Sequence, residues 1–235
     1  MAIGSYEKCK RYIDSHSPIE KSIPPKKVYP CITISRETGA GASTVCEELI
    51  KILDANSKPE DEHWTYFDRT LIEKILEDHN LPGQISKYLK EDKYHHLSSA
   101  VNELLGLHPT QWTLLHKTTE TVLQLARMGK AIIVGRGACI ITAKLHNTFH
   151  VRLIAPVENK IKYIMQHQNL SRVEAELFMK KEDTNRRNYL ASNFSKNADD
   201  PRLYHLIINT GLLSHKEAAR IIAESVNWKF SNLFD

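Results

Sequence analysis

From residue 31 onward the chain alternates short apolar runs with long helical periods, and that alternation restricts the fold more than any other feature. Strands are expected at Cys31–Ser35, Thr65–Phe67, Ala131–Gly135, Phe149–Ile154 and Leu206–Asn209. Each is short and mostly apolar, as strands buried on both faces must be. Helical periods cover Thr44–Ala55, Thr70–Asp78, Lys93–Leu105, Gln111–Met128, Val157–His167, Arg172–Leu190 and His215–Val226. Ser171 and Ser214 stand where N-caps belong, and Gly129 follows Met128 as a C-cap. Strands separated by helices call for right-handed crossovers and a parallel sheet, so an α/β fold with five parallel strands is expected.

Residues 1–30 stand apart. Tyr6, Cys9, Tyr12 and Ile13 have helical spacing, whereas SIPPKKVYP carries three prolines in nine residues and reads as a linker. The helix has two docking options, its own domain or a partner subunit, so a homodimer stays open. The main domain is expected over 31–228, with a short tail at 229–235. The connection from Phe67 to Ala131 is too long for a simple crossover. Three helical segments in it, with Pro82 and Gly83 between the first two, suggest an insertion over about 68–130. At the carboxyl edge of a parallel sheet such an insertion is placed to bind an acceptor.

The first strand runs into CITISRETGAGAST, Cys31–Thr44. Strand, Gly-rich turn and helix is the context of a phosphate-binding loop. Set on G-x-x-x-x-G-K-[ST], the residues are Arg36, Glu37, Thr38, Gly39, Ala40, Gly41, Ala42 and Ser43. The second glycine and the hydroxyl are present, while Arg36 replaces the first glycine and Ala42 the lysine. Backbone N–H groups and the helix start supply much of such a loop's grip on phosphate. Thr38, Gly39, Ala40, Gly41, Ala42, Ser43 and Thr44 are therefore the expected nucleotide cradle, with the Ser43 hydroxyl toward Mg²⁺. Either Arg36 covers the missing charge with its planar guanidinium, or it pairs with Glu37 or another carboxylate at the rim.

Composition excludes other classes. Apolar residues make up 41% and charged residues 26%, the balance of a globular domain. No apolar run approaches about 18 residues, and the N-terminus lacks a secretory core, so a cytoplasmic location and no membrane partner are expected. The four cysteines have no metal-ligand spacing. The twelve histidines lack ligand partners at suitable spacing and read as surface or packing groups. The net charge of +4 is interspersed, and the three tryptophans are scattered, so no nucleic-acid partner is expected.

CITISRETGAGAS, WTYFDRTLIEKIL, AIIVGRGACIITAKL, HVRLIAPVENKIKYIM, SRVEAELFMKKEDTNRRNYL and DDPRLYHLIINTG, taken in order, resemble the cytidylate kinase-like family from about Cys31 to Val226. The resemblance implies the three-layer fold of phosphate-loop NTPases, with a helical acceptor-binding insertion and a helical lid over about 171–200. It also implies ATP and Mg²⁺ as cofactors and shares the loss of the loop lysine. Asp68 matches an acceptor-binding aspartate. Lys74 stands where cytidylate kinases have an acceptor arginine. Arg136 matches the arginine of their Gly-Arg-Asp sequence, which reaches the acceptor phosphate, so that Asp68 and Arg136 are expected to flank the acceptor; Gly137 stands in place of the aspartate. In the lid, Asp183, Arg186 and Arg187 match substrate and phosphate contacts, and Asp183 and Arg187 are four apart and able to pair. Arg36, Arg136, Arg186 and Arg187 are thus the expected catalytic cations. His205, Asn209 and Thr210 are read as structural groups or neighbours of the adenine. Phosphoryl transfer asks for positioning and charge stabilisation rather than a nucleophile. The expected activity is phosphoryl transfer from a nucleotide donor to a small acceptor, most economically a pyrimidine nucleoside monophosphate. A nucleotide-binding sensor without turnover is the alternative.

Overall fold

The computed structural model describes residues 28–55, 63–68 and 111–231, with side chains from residue 115 in the last stretch. The expected N-terminal helix, the two insertion helices at Thr70–Asp78 and Lys93–Leu105, and Lys74 lie outside these residues.

Five parallel strands form one sheet: β1 (Cys31–Arg36), β2 (Thr65–Phe67), β3 (Ala131–Val134), β4 (Thr148–Ile154) and β5 (Leu206–Asn209). Their spatial order is β2-β3-β1-β4-β5. β1 is central, with Ile32 opposite Ile132 on one side and Phe149 on the other. The helices among the described residues are α1 (Ala42–Ala55), α2 (Gln111–Met128), α3 (Ala138–Ile141), α4 (Val157–Gln168), α5 (Arg172–Phe194) and α6 (His215–Lys229). Among them, none is long and apolar enough to cross a membrane.

The period-2 alternation of the strands separates two cores. Ile32, Ile34, Ile132, Val151 and Leu153 point to the face covered by α1 and α6, where Val45, Leu49, Ile222 and Val226 meet them. Cys31, Ala131, Ile133 and Phe67 point to the opposite face, against Val122, Leu125 and Ala126 of α2. A third cluster, Ile161, Ile164, Ala175 and Met179, joins α4 to α5. This is the three-layer α/β architecture expected from the sequence.

Ser171 and Ser214 each close a capping box, with Glu174 and Glu217 respectively, satisfying N–H groups that the helix leaves open. Gly129, at φ 78°, ends α2 and donates its N–H to the Leu125 carbonyl at 3.3 Å. Two helices run past the expected ends. α5 continues to Phe194, where Ser195 in the left-handed region closes it. α6 continues to Lys229, and Phe230 is buried in the first core, so the segment expected as a tail begins inside the domain. The single turn of α3 is too short to show a period.

On the α2 face, β4 replaces apolar residues with Thr148, His150 and Arg152, all buried. Register places Thr33 beside His150 and Ser35 beside Arg152. The Thr33 hydroxyl lies 2.8 Å from His150 Nδ1, and Arg152 donates to Ser35 Oγ at 3.2 Å and to Asp199 at 2.6 Å. The His150 backbone N–H donates to His205 Nδ1 at 2.9 Å, and the His205 ring stacks on Phe149. His205 is therefore a structural group at the start of β5.

Burial, with smaller contributions from His205 and Lys229, pushes the His150 pKa down to about 4. The unfolded chain binds this proton near pH 6.5, so the stabilisation is complete above that pH and is lost as pH falls toward 4. The difference corresponds to about 3 kcal/mol. The urea midpoint is expected to drop between pH 7 and pH 4, and His150→Gln to flatten that drop. Equal slopes for the two proteins would refute the assignment.

Candidate functional site

The site forms where strands end. Arg36 closes β1, Asp68 follows β2 directly, and Gly135–Arg136–Gly137 follows β3, all at the carboxyl edge of the sheet. Between β1 and α1 the loop is closed by one internal hydrogen bond and anchored from two sides. The Glu37 N–H donates to the Leu153 carbonyl at 3.0 Å, the Ala40 N–H to the Glu37 carbonyl at 3.2 Å, and the Thr210 hydroxyl to the Ala40 carbonyl at 3.1 Å. α1 makes its first intrahelical bond from Val45 N–H to the Gly41 carbonyl. The amides of Ala42, Ser43 and Thr44 therefore precede the first helical donor and have no acceptor within the helix, the usual condition of a helix start.

Two glycines are required by geometry. Gly39 has φ 84°, and a Cβ there would lie 2.6 Å from the Lys160 carbonyl oxygen. Gly41 has φ 71°, and a Cβ there would lie 2.0 Å from His215 Nε2. The loop is thus held between the backbone of α4 and the first residue of α6.

Arg36 does not pair with Glu37. The Glu37 carboxylate accepts from Lys160 Nζ at 2.9 Å and from the Ala155 N–H at 3.2 Å. Lys160 is only 7% exposed, so the ion pair staples the loop to α4. The Arg36 guanidinium lies instead against Gly135, where a Cβ would come 2.1 Å from Nη1. Burial, with a smaller contribution from nearby Arg186, pushes its pKa down to about 10 against the opposing effect of Asp68 and Glu182. At neutral pH it remains a cation.

Two neighbouring cavities share Arg36, Val134 and Arg186 as a common wall. The first, about 270 Å³, is bounded by the loop, Asp68, Tyr163 and Phe178. Gly39, Gly41, Ala42 and Ser43 line it, as does Thr38. Ala40 belongs instead to the apolar core, and the Thr44 hydroxyl shares a hydrogen bond with the Tyr163 phenol at 2.8 Å. Ser43 Oγ is 3.3 Å from the same phenol. The second cavity, about 370 Å³, is bounded by Arg136, Arg152, Glu182, Asn185 and Tyr189. Asp68 and Arg136, expected to flank one acceptor, therefore open onto different sides of the arginine wall. Among the described residues no group of three or more His, Cys, Asp or Glu side chains could hold a metal ion.

The lid residues correct one expectation. Asp183 does not pair with Arg187. Its Oδ1 accepts from the Thr38 N–H at 2.8 Å and from the Thr38 hydroxyl at 2.6 Å, with Arg186 Nη1 at 3.2 Å. Two donors on the loop outcompete an exposed guanidinium one turn away. Arg187 is exposed, donates to Thr184 at 3.4 Å, and lines neither cavity.

Sequence reasoning missed Lys160, Tyr163, Arg152 and His215. For Lys160 a signal existed: Val157, Lys160, Ile161 and Ile164 share one helical face, so the lysine sits in an apolar stripe. Tyr163 carries no such signal. Its ring stacks on His167 at 3.7 Å and meets the His215 ring edge-on at 5.4 Å.

A model of the cytidylate kinase-like family matches residues 31–212. Among solved structures, an uncharacterised protein from Eubacterium ventriosum superposes with a TM-score of 0.63 at 17% identity, covering 86% of this chain and 99% of that one. At that identity the likeness is one of fold. Shikimate kinase from Acinetobacter baumannii, in complex with shikimate, gives 0.43 at 18% identity over 88% of this chain and 96% of its own. A uronate isomerase of Corynebacterium glutamicum is 22% identical over 117 residues, half of this chain. The chain spans only 22% of the length of that curated relative.

Gly39→Ala is expected to cost about 1–2 kcal/mol in backbone strain alone, and more once the methyl meets Lys160. A lower urea midpoint checks this. An unchanged midpoint would mean that the loop is not pressed against α4.

Proposed function

The chain belongs to the cytidylate kinase-like family, and on that premise we propose that it transfers the γ-phosphoryl group of ATP, with Mg²⁺, to a small anionic acceptor. A pyrimidine nucleoside monophosphate is the most economical choice. The observation that carries this reading is the pairing of the loop with two guanidiniums. Gly39, Gly41, Ala42 and Ser43 border a cavity into whose wall Arg36 and Arg186 are built. In that position the arginines supply the positive charge that Ala42 does not.

The residues present suit a triphosphate. The amides at the start of α1 have no helical acceptor, and Gly39 and Gly41 leave the backbone open to close approach. Ser43 Oγ is exposed at the cavity rim and would hold the metal together with phosphate oxygens. Mg²⁺ would supply charge neutralisation across those oxygens. Arg36 is fixed by burial at the end of β1, while Arg186 comes from the lid, so one cation is preset and the other arrives with α5. Guanidiniums held in a low-dielectric site act more strongly on developing charge than they would in water.

The second cavity is the proposed acceptor chamber. Arg36, Arg136, Arg152 and Arg186 line it against the single carboxylate of Glu182. That surplus favours an acceptor with negative charge of its own. Arg187 has no part in this reading. Asp68 would meet the acceptor from the loop side, where the proposed transfer occurs.

A nucleotide-binding module without turnover is the second reading, and Ala42 together with Gly137 favours it. A panel of nucleoside monophosphates with ATP and Mg²⁺, followed by product separation, distinguishes the two. Phosphorylated acceptor is the expected result. Arg36→Ala is expected to lower kcat/KM by about 100-fold or more, the scale of removing one preorganised charge-stabilising group. Turnover and ATP affinity equal to those of the parent would reject the role given to Arg36.

A further inference from the structure

Asp183 is a carboxylate on the lid that opens into neither cavity. Its Oδ1 accepts both the N–H and the hydroxyl of Thr38. Arg186 binds the same pair, 3.2 Å from Asp183 Oδ1 and donating to Thr38 Oγ1. Glu182, 3.8 Å from Arg186 Nη2, adds a second negative charge at this point. Thr38 and Asp183 are 145 residues apart, so the contact is a tertiary fastening between loop and lid.

The loop side of this fastening is chemically an anion site. Thr38 offers a backbone N–H and a hydroxyl, the two kinds of donor that a phosphate oxygen takes. A carboxylate oxygen bound there makes charge-assisted hydrogen bonds of the same type. Thr38 is 5% exposed, so the occupied donors are screened from water. The other end of α5 rests on α4 through Ala175 and Met179, an apolar contact that does not depend on the polar one.

The geometry points to Asp183 as an internal competitor for the loop, a built-in carboxylate that holds the lid shut over Thr38 until a polyphosphate displaces it. This rests on the phosphate-binding reading given above and adds regulation to it. A site occupied by its own chain binds ligand with an affinity reduced by the fraction of molecules in which it is vacant. Arg186 then has two partners in turn. It pairs with Asp183 while the loop is empty and is released toward the phosphates when Asp183 leaves. No covalent step is involved.

The sign of the effect separates this inference from an ordinary binding role. In the full chain, Asp183→Asn keeps the shape and removes the charge, Asp183→Ala removes the contact, and Thr38→Val removes one of its two hydrogen bonds. Two quantities are measured: hydrogen exchange at the Thr38 amide without nucleotide, and calorimetric affinity for inorganic tripolyphosphate and for ATP with magnesium. Thr38 exchange is expected to accelerate in both Asp183 variants, and triphosphate affinity to rise about tenfold in Asp183→Asn, equivalent to about 1.4 kcal/mol. In Thr38→Val the exchange at residue 38 is expected to fall between parent and Asp183→Asn, with no rise in triphosphate affinity, because the lost hydroxyl is a donor for the phosphate as well as for Asp183. Unchanged exchange would overturn the fastening. Affinity that stays level or falls in both Asp183 variants, while the parent binds, would overturn the competition and return Asp183 to the binding machinery. If no protein of the set binds either triphosphate, the phosphate-binding reading itself fails and the gate has nothing to control.

Discussion

Residues 31–34 of β1 are at most 1% exposed, packed on both faces and bonded to strands on both sides. No charge is tolerated along such a segment, because an isolated buried ion would have to be neutralised or paired. An unpaired charge can stand only where the strand leaves the core. For β1 that position is Arg36, for β2 it is Asp68, and for β3 it is Arg136. The carboxyl edge therefore collects the polar chemistry of three strands. The apolar demand of the sheet, rather than any attraction among the charged groups, brings them together.

Within that edge the distribution of charge is uneven. The first cavity has Arg36 and Arg186 facing Glu37 and Asp68, and Glu37 is further neutralised by Lys160. The second has four arginines and one glutamate. Arg152 is part of that surplus, although Asp199 engages one of its nitrogens. In a partly enclosed space, where charges are less screened than in bulk water, this difference favours anions on the side of Arg136. The loop side depends more on oriented backbone dipoles. Lysine would have served as a mobile point charge there, whereas a guanidinium held against Gly135 is fixed in direction.

Much of the fold was legible. β2, β5 and α2 have the expected boundaries, and the remaining expected strands differ by one residue at an end. Short apolar runs and helical periods are local signals, and capping serines announce helix starts from neighbouring residues alone. The ends of α5 and α6 were harder, because Phe230 is drawn into the core by contacts made only after folding. The site was legible in part. Arg36, Asp68 and Arg136 could be placed at one edge because strand ends converge in any parallel sheet, whereas Arg186 of α5 followed only from the family resemblance. The partner of Asp183 could not, since spacing within α5 favoured Arg187 and the winning donors belong to Thr38. Tyr163 was invisible for the same reason: its value lies in meeting Ser43 and Thr44 on another element.

By itself, the order of apolar runs, glycines and caps determined the layered α/β fold and the presence of a lysine-free loop between the first strand and its helix. Those features follow from periodicity and backbone sterics, which act over a few residues. Only the tertiary structure decided which groups satisfy one another: Glu37 with Lys160 rather than with its neighbour Arg36, and Asp183 with Thr38 and Arg186. Such pairings depend on distances across elements far apart in the chain, and electrostatic and hydrogen-bond energies fall away within a few ångströms. No local pattern encodes a partner that folding alone brings into range.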